Sequence, residues 1–144
     1  MLRSLVGSEM CIRDRLDTSL TDTEGYVQYE YIKDELSDLF ALSDLVISRA
    51  GANAICEISA LKKPNLLIPL SANASRGDQI LNARSFEKQG YSMVMEEEEI
   101  TPEKLLQGIR TLYADRQQYI DAMNHSSHTD SIKVIMNLIE TCVK

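Results

Sequence analysis

Leu45-Val46-Ile47-Ser48-Arg49-Ala50-Gly51-Ala52-Asn53-Ala54-Ile55-Cys56-Glu57, followed by Lys63-Pro64-Asn65-Leu66-Leu67-Ile68-Pro69, reads as strand, glycine turn, helix and second strand. The apolar run 45–47 delivers the backbone to a turn of small residues. That turn opens a helix whose first N–H groups have no partner inside the helix. Such a terminus is suited to an anion, a diphosphate among them. Glu57 lies about one and a half turns further along. A carboxylate there can accept hydrogen bonds from two adjacent ribose hydroxyls, as acidic residues do in dinucleotide folds. The pattern points to a nucleotide-diphosphate binder, although a single glycine turn and a solvated helical glutamate also occur together without a ligand.

Outward from this stretch the pattern keeps alternating. Residues 16–25 are rich in Thr, Ser, Asp and Gly and read as a loop. Residues 26–32 alternate aromatic and polar side chains, which predicts a strand with one buried face. Lys33-Asp34-Glu35 opens a short helix striped by Leu36, Leu39, Phe40 and Leu42 and ending at Ser43-Asp44. The helix from Ala52 is expected to bury Ile55, Ile58 and Leu61 and to stop before Pro64, which cannot continue it. Residues 66–69 form the continuous apolar run of a strand covered on both faces. A helix over 78–88 follows, with Ile80, Leu81, Ala83 and Phe86 inward and Gly90 as its stop.

A short strand at 92–95 comes next. Thr101-Pro102-Glu103 is then a strong helix start, with an N-cap hydroxyl, proline at the first helical position and an acid in the first turn. That helix carries Leu105, Leu106, Ile109 and Leu112. Two more are expected, at 116–124 and 130–143, the last striped by Ile132, Ile135, Met136 and Ile139. Repeated strand–helix alternation predicts a doubly wound, Rossmann-like α/β fold with a parallel sheet. Ligands in such sheets sit beyond the carboxyl ends of the strands. The turn at 48–53 and the loop at 71–79 both follow strands, so both belong to that rim.

The 144 residues are one domain's worth, and their net charge of −7 leaves no basic stripe for nucleic acid or anionic lipid. No apolar run approaches the length of a membrane span. Cys11, Cys56 and Cys142 are odd in number and lack metal-ligand rhythm, which fits reduced thiols of the cytosol. Cys56 reads as a small hydrophobe packed on the sheet. Residues 1–15 show neither strand alternation nor a helical stripe, and they resemble a translated sequencing adapter. Native text is expected to resume near Leu16, giving a domain over 16–144. The acidic run 96–99 reads as a solvated connection.

The chain from 25 to 144 resembles the C-terminal, donor-binding half of MurG-like enzymes of glycosyltransferase family 28. The resemblance rests on Ser48-Arg49-Ala50-Gly51-Ala52, on Cys56-Glu57-Ile58, on 64–69, and on Arg76-Gly77-Asp78-Gln79 before Asn82-Ala83. It implies the incomplete C-terminal half of a GT-B glycosyltransferase, with UDP-N-acetylglucosamine as donor and a lipid-linked muramoyl-pentapeptide as acceptor, in peptidoglycan synthesis at the inner face of the plasma membrane. The acceptor surface and catalytic base belong to the other half, so no catalytic residue falls in this chain. By itself the chain is expected to bind donor poorly and to transfer nothing.

Residue by residue, the resemblance places the diphosphate and sugar against Gly51, Ala52, Asn53 and Ala54, and the ribose on Glu57. It places the sugar hydroxyls on Asp78 and Gln79, and the uracil near Ile32, where one extra residue shifts the register. Asp78 replaces a glutamine of the family, so that contact can accept but not donate. Neither a metal nor a cofactor is implied. Bland readings stand beside these: Asn53 as a helix cap, Asp78 as a helix-start acid, Arg49 paired with a carboxylate, Asn82 holding its helix to the preceding loop. His125 and His128 lack a third ligand. Two other functions share the pattern, a free-standing donor-binding subunit of a two-component transferase and a non-catalytic nucleotide-sugar sensor.

Overall fold

The computed structural model describes residues 4–6, 16–20, 22–29, 32, 34–71, 77–126, 136 and 138–141. Within them lie four strands, β1 (Ser4–Val6), β2 (Leu45–Ser48), β3 (Asn65–Leu67) and β4 (Met93–Val94), and five helices. The helices are α1 (Leu36–Leu42), α2 (Ala52–Ala60), α3 (Asp78–Lys88), α4 (Pro102–Ala114) and α5 (Arg116–Asn124). The sheet runs β1-β2-β3-β4, and every adjacent pair is parallel. All strands therefore end on one rim.

Successive residues of a strand face opposite ways, and β3 shows what that does here. Leu67 packs with Ala50, Ile55 and Ala83, beside Phe86 and Val94. Leu66 packs with Leu45 and Leu112, beside Leu105, Ile109, Tyr113 and Tyr119. Helices α2 and α3 thus cover one face and α4 and α5 the other. Leu66 and Leu67 are both fully buried, which accounts for the unbroken apolar run that predicted a two-sided strand.

Local chemistry sets the ends of these elements. The Thr101 hydroxyl accepts a hydrogen bond from the Lys104 N–H at 3.2 Å, with Pro102 at the first helical position. Gly90 follows α3 at φ +76°, where a side chain would be strained. Lys63 Nζ donates to the carbonyls of Ala41 and Ser43 at 3.3 and 3.0 Å, so a cation caps the C-terminal end of α1. Asn65 Nδ2 donates to the Lys63 and Tyr91 carbonyls, tying the start of β3 to the connection before β4.

The structure corrects the sequence reading in four places. Among the described residues of 26–32 there is no strand, and Tyr26, Val27 and Tyr29 are exposed. A strand needs a ladder partner, and the free edge of β2 is already paired with Ser4–Val6, in the stretch where no element was expected. Leu42, Leu61, Leu81 and Leu106 face solvent instead of the core. Leu106 lies about 100° around its helix from the inward Leu105, and Leu81 about 200° from Ala83, while Leu42 and Leu61 fall where α1 and α2 end. Cys56, next to the buried Ile55, is likewise turned outward. Asn53 does not cap α2, whose N-cap is Gly51 without a side-chain bond. The helix expected at 130–143 lies mostly outside the described residues, although 136 and 138–141 are helical.

Candidate functional site

The backbone leaves β2 at Ser48, turns through Arg49 and the fully buried Ala50, and enters α2 at Ala52. The first bond of α2 runs from the Ile55 N–H to the Gly51 carbonyl. The amides of Ala52, Asn53 and Ala54 precede it, and no side chain caps them. Gly51 has φ −68° and ψ 141°, a conformation open to any residue. A Cβ built on it meets nothing within 4 Å. Among the described residues neither backbone geometry nor packing requires a glycine here. Glu57 is exposed on the same helix.

The second loop reaches the same rim. Gly77, at φ +85°, turns the chain into α3, whose first residue Asp78 is exposed. Gln79 is half-buried, and its Oε1 accepts from the Leu70 N–H at 3.1 Å. Asn82 Nδ2 donates to the Ala50 carbonyl at 3.3 Å. Asn82 therefore fastens α3 to the turn after β2, where the sequence suggested its own preceding loop. Gly51, Ala52, Asn53, Ala54, Asp78 and Gln79 thus lie at one rim, and Glu57 is exposed further along α2. Ile32 is half-buried in the segment before α1, and no described contact joins it to them.

A third rim element escaped the sequence reading. After β4 the chain forms a 3-10 turn, Glu97–Glu99, and Glu97 is not merely solvated. Arg49 Nη2 donates to Glu97 Oε1 at 2.6 Å and Arg49 Nη1 to the Ile68 carbonyl at 3.3 Å. The Ser71 N–H donates to Glu97 Oε2 at 3.3 Å. The Arg49 guanidinium, aided by that amide, holds the Glu97 carboxyl below its usual range. Its neighbour Glu96 pairs with Arg84, which also bonds Glu87. The available signal was positional: Arg49 and Glu97 each sit just beyond a strand end, and only the sheet order brings them together.

Among the described residues no group of three or more His, Cys, Asp or Glu is placed to hold a metal. His125 Nδ1 lies 2.7 Å from the Asp121 carbonyl, and His128 is outside the described residues.

A parallel α/β sheet whose strands all end on one rim, with α2 opening there without a side-chain cap, is a Rossmann-like arrangement. The sequence profile of the glycosyltransferase family 28 C-terminal domain matches residues 7–139, and the chain belongs to that family. It is 60% identical over 140 residues, 97% of its length, to the UDP-N-acetylglucosamine–N-acetylmuramyl-(pentapeptide) pyrophosphoryl-undecaprenol N-acetylglucosamine transferase of Lachnospira eligens. It is 58% identical over 131 residues, 91% of its length, to the protein of the same name from Clostridium novyi. The chain spans 40% and 37% of those two relatives. The crystal structure of Acinetobacter baumannii MurG superposes with a TM-score of 0.59 at 26% identity, over 78% of this chain and 32% of that one. The Rossmann-like, GT-B type of α/β fold expected from the sequence is the fold observed.

Proposed function

We propose that this chain is the donor-binding part of a UDP-N-acetylglucosamine-dependent, inverting N-acetylglucosaminyltransferase acting on a lipid-linked muramoyl-pentapeptide. One observation carries the site: Gly51 is a glycine that neither its φ nor its neighbours require, at the mouth of an uncapped helix terminus. A glycine in that position lets a ligand approach the backbone closely. The amides of Ala52, Asn53 and Ala54 then point at the diphosphate, Glu57 accepts from the ribose hydroxyls, and Asp78 and Gln79 meet the sugar. Ile32 is assigned to the uracil.

In the reaction the acceptor hydroxyl displaces UDP from the anomeric carbon. Negative charge grows on the departing diphosphate, and fixed N–H dipoles at the α2 terminus stabilise it without reorganising. Asp78 and Gln79 contribute orientation. The catalytic base and the acceptor surface are assigned to a partner half outside this chain, and the assembled enzyme to the cytoplasmic face of the plasma membrane. No helix among the described residues is long and apolar enough to cross a membrane. Residues 16–144 are assigned to the domain and 1–15, on their resemblance to adapter text, to non-native text, although the family match begins at residue 7.

The test is a nitrogen-15 NMR titration of the chain with UDP and UDP-N-acetylglucosamine, which reads weak binding. Resonances of residues 51–54 and 78–79 are expected to move together. Glu57→Ala is expected to weaken UDP by about 1–3 kcal/mol, the loss of charge-assisted hydrogen bonds. Unchanged affinity would remove Glu57 from the ribose.

A further inference from the structure

Four side-chain-to-backbone fastenings cross the rim, and three of them converge on a short stretch after β3. The Ile68 carbonyl accepts from Arg49, the Leu70 N–H donates to Gln79, and the Ser71 N–H donates to Glu97, which Arg49 also holds. The stretch 68–71 is thus pinned from the β2 side by Arg49, from the β4 side by Glu97 and from α3 by Gln79. The fourth, Asn82 to Ala50, holds the body of α3 but not the Gln79 side chain.

The Gln79 bond has a directional consequence. Its carbonyl oxygen is turned onto the Leu70 amide, so the NH₂ end of the side chain is the end directed away from that backbone. An NH₂ group donates, whereas Asp78 beside it only accepts. The pair therefore offers one donor and one acceptor to sugar oxygens, provided that Leu70 stays where it is. Leu70 stays because the next amide is bonded to Glu97, whose charge is matched by Arg49.

We propose that Glu97 is a positioning residue for sugar recognition: latched to Arg49 and to the Ser71 amide, it fixes the 68–71 backbone against which Gln79 is oriented. This rests on the donor-site reading above and adds to it a residue that touches no part of the donor. It also assigns Arg49 and Glu97 a role beyond solvation.

The proposal separates the two halves of the ligand. UDP alone uses the α2 terminus and Glu57, to which Glu97 makes no described bond, whereas the sugar uses Gln79, whose Leu70 partner adjoins the Ser71 amide that Glu97 holds. The experiment is a set of NMR titrations of the chain, wild type, Glu97→Gln and Glu97→Ala, each with UDP and with UDP-N-acetylglucosamine. For Glu97→Ala, affinity for UDP-N-acetylglucosamine is expected to fall about three- to tenfold while that for UDP changes less than about twofold. Glu97→Gln keeps an oxygen for the Ser71 amide and is expected to fall between wild type and Glu97→Ala. The Gln79 side-chain NH₂ resonances are expected to shift in both variants without ligand.

Equal losses for both ligands, or none for either, overturn the positioning role while leaving the donor site standing. Failure of the wild type to bind UDP overturns the donor site and the latch's role with it. Should Glu97→Ala not fold, Glu97→Gln decides by the same ratio.

Discussion

Gly51 and Glu57 can be proposed from the sequence because both belong to one helix and its entry turn: the turn, the free amides and the acid lie within seven residues of one another. Glu97 cannot, because its partner is 48 residues away and only the parallel sheet brings the two together. Gly51 permits a sharp experiment. Alanine suits φ −68°, and its methyl group would meet nothing within 4 Å. Gly51→Ala is therefore expected to change folding stability by less than about 1 kcal/mol, a weaker N-cap offsetting the lower entropy of the unfolded chain. The added methyl would stand where the diphosphate approaches, so UDP affinity is expected to fall about tenfold or more, roughly 1.4 kcal/mol. Thermal melting beside an NMR titration reads both quantities. A stable variant that binds UDP unchanged would place the diphosphate elsewhere.

Helices α3 and α5 span the residues the sequence put in them and α4 begins where the sequence put it; caps and breakers are local: Thr101-Pro102 opens α4, and Gly90 stands just past α3. Which face of a helix turns inward is a tertiary matter, and there the apolar pattern over-reached. In α4, Leu105, Ile109 and Leu112 form the i, i+4, i+7 stripe that packs on β2 and β3, while Leu106 is 49% exposed. The two kinds of leucine are expected to behave differently. Leu112→Ala opens a cavity beside Leu45 and Leu66 and is expected to cost about 2–5 kcal/mol, a large share of the roughly 5–15 kcal/mol typical of a domain. Leu106→Ala is expected to stay within about 0.5 kcal/mol. Urea unfolding of the two variants gives the comparison, and equal losses would mean that α4 packs through a different face.

At the scale of the whole molecule β1 forms the edge of the sheet beside β2. Ser4–Val6 pairs in parallel with Leu45–Ile47, and β2, β3 and β4 are bound by two shared core clusters and by the latch across their ends. The alternating stretch 26–32 would have needed the same edge, which explains why a strand legible in its pattern is not formed among its described residues. If residues 1–15 are foreign to the domain, their strand is a stand-in for a neighbour, and the site, built from the far ends of β2, β3 and β4, does not depend on them. Deleting residues 1–15 is then expected to leave the NMR response to UDP at 51–54 unchanged. The same deletion bares the N–H and C=O groups along β2, and an unpaired parallel edge recruits another chain. Sedimentation is therefore expected to show concentration-dependent self-association that the undeleted chain lacks. Loss of the folded spectrum on deletion would show instead that β1 belongs to the cooperative core, and the assignment of 1–15 to non-native text would fall.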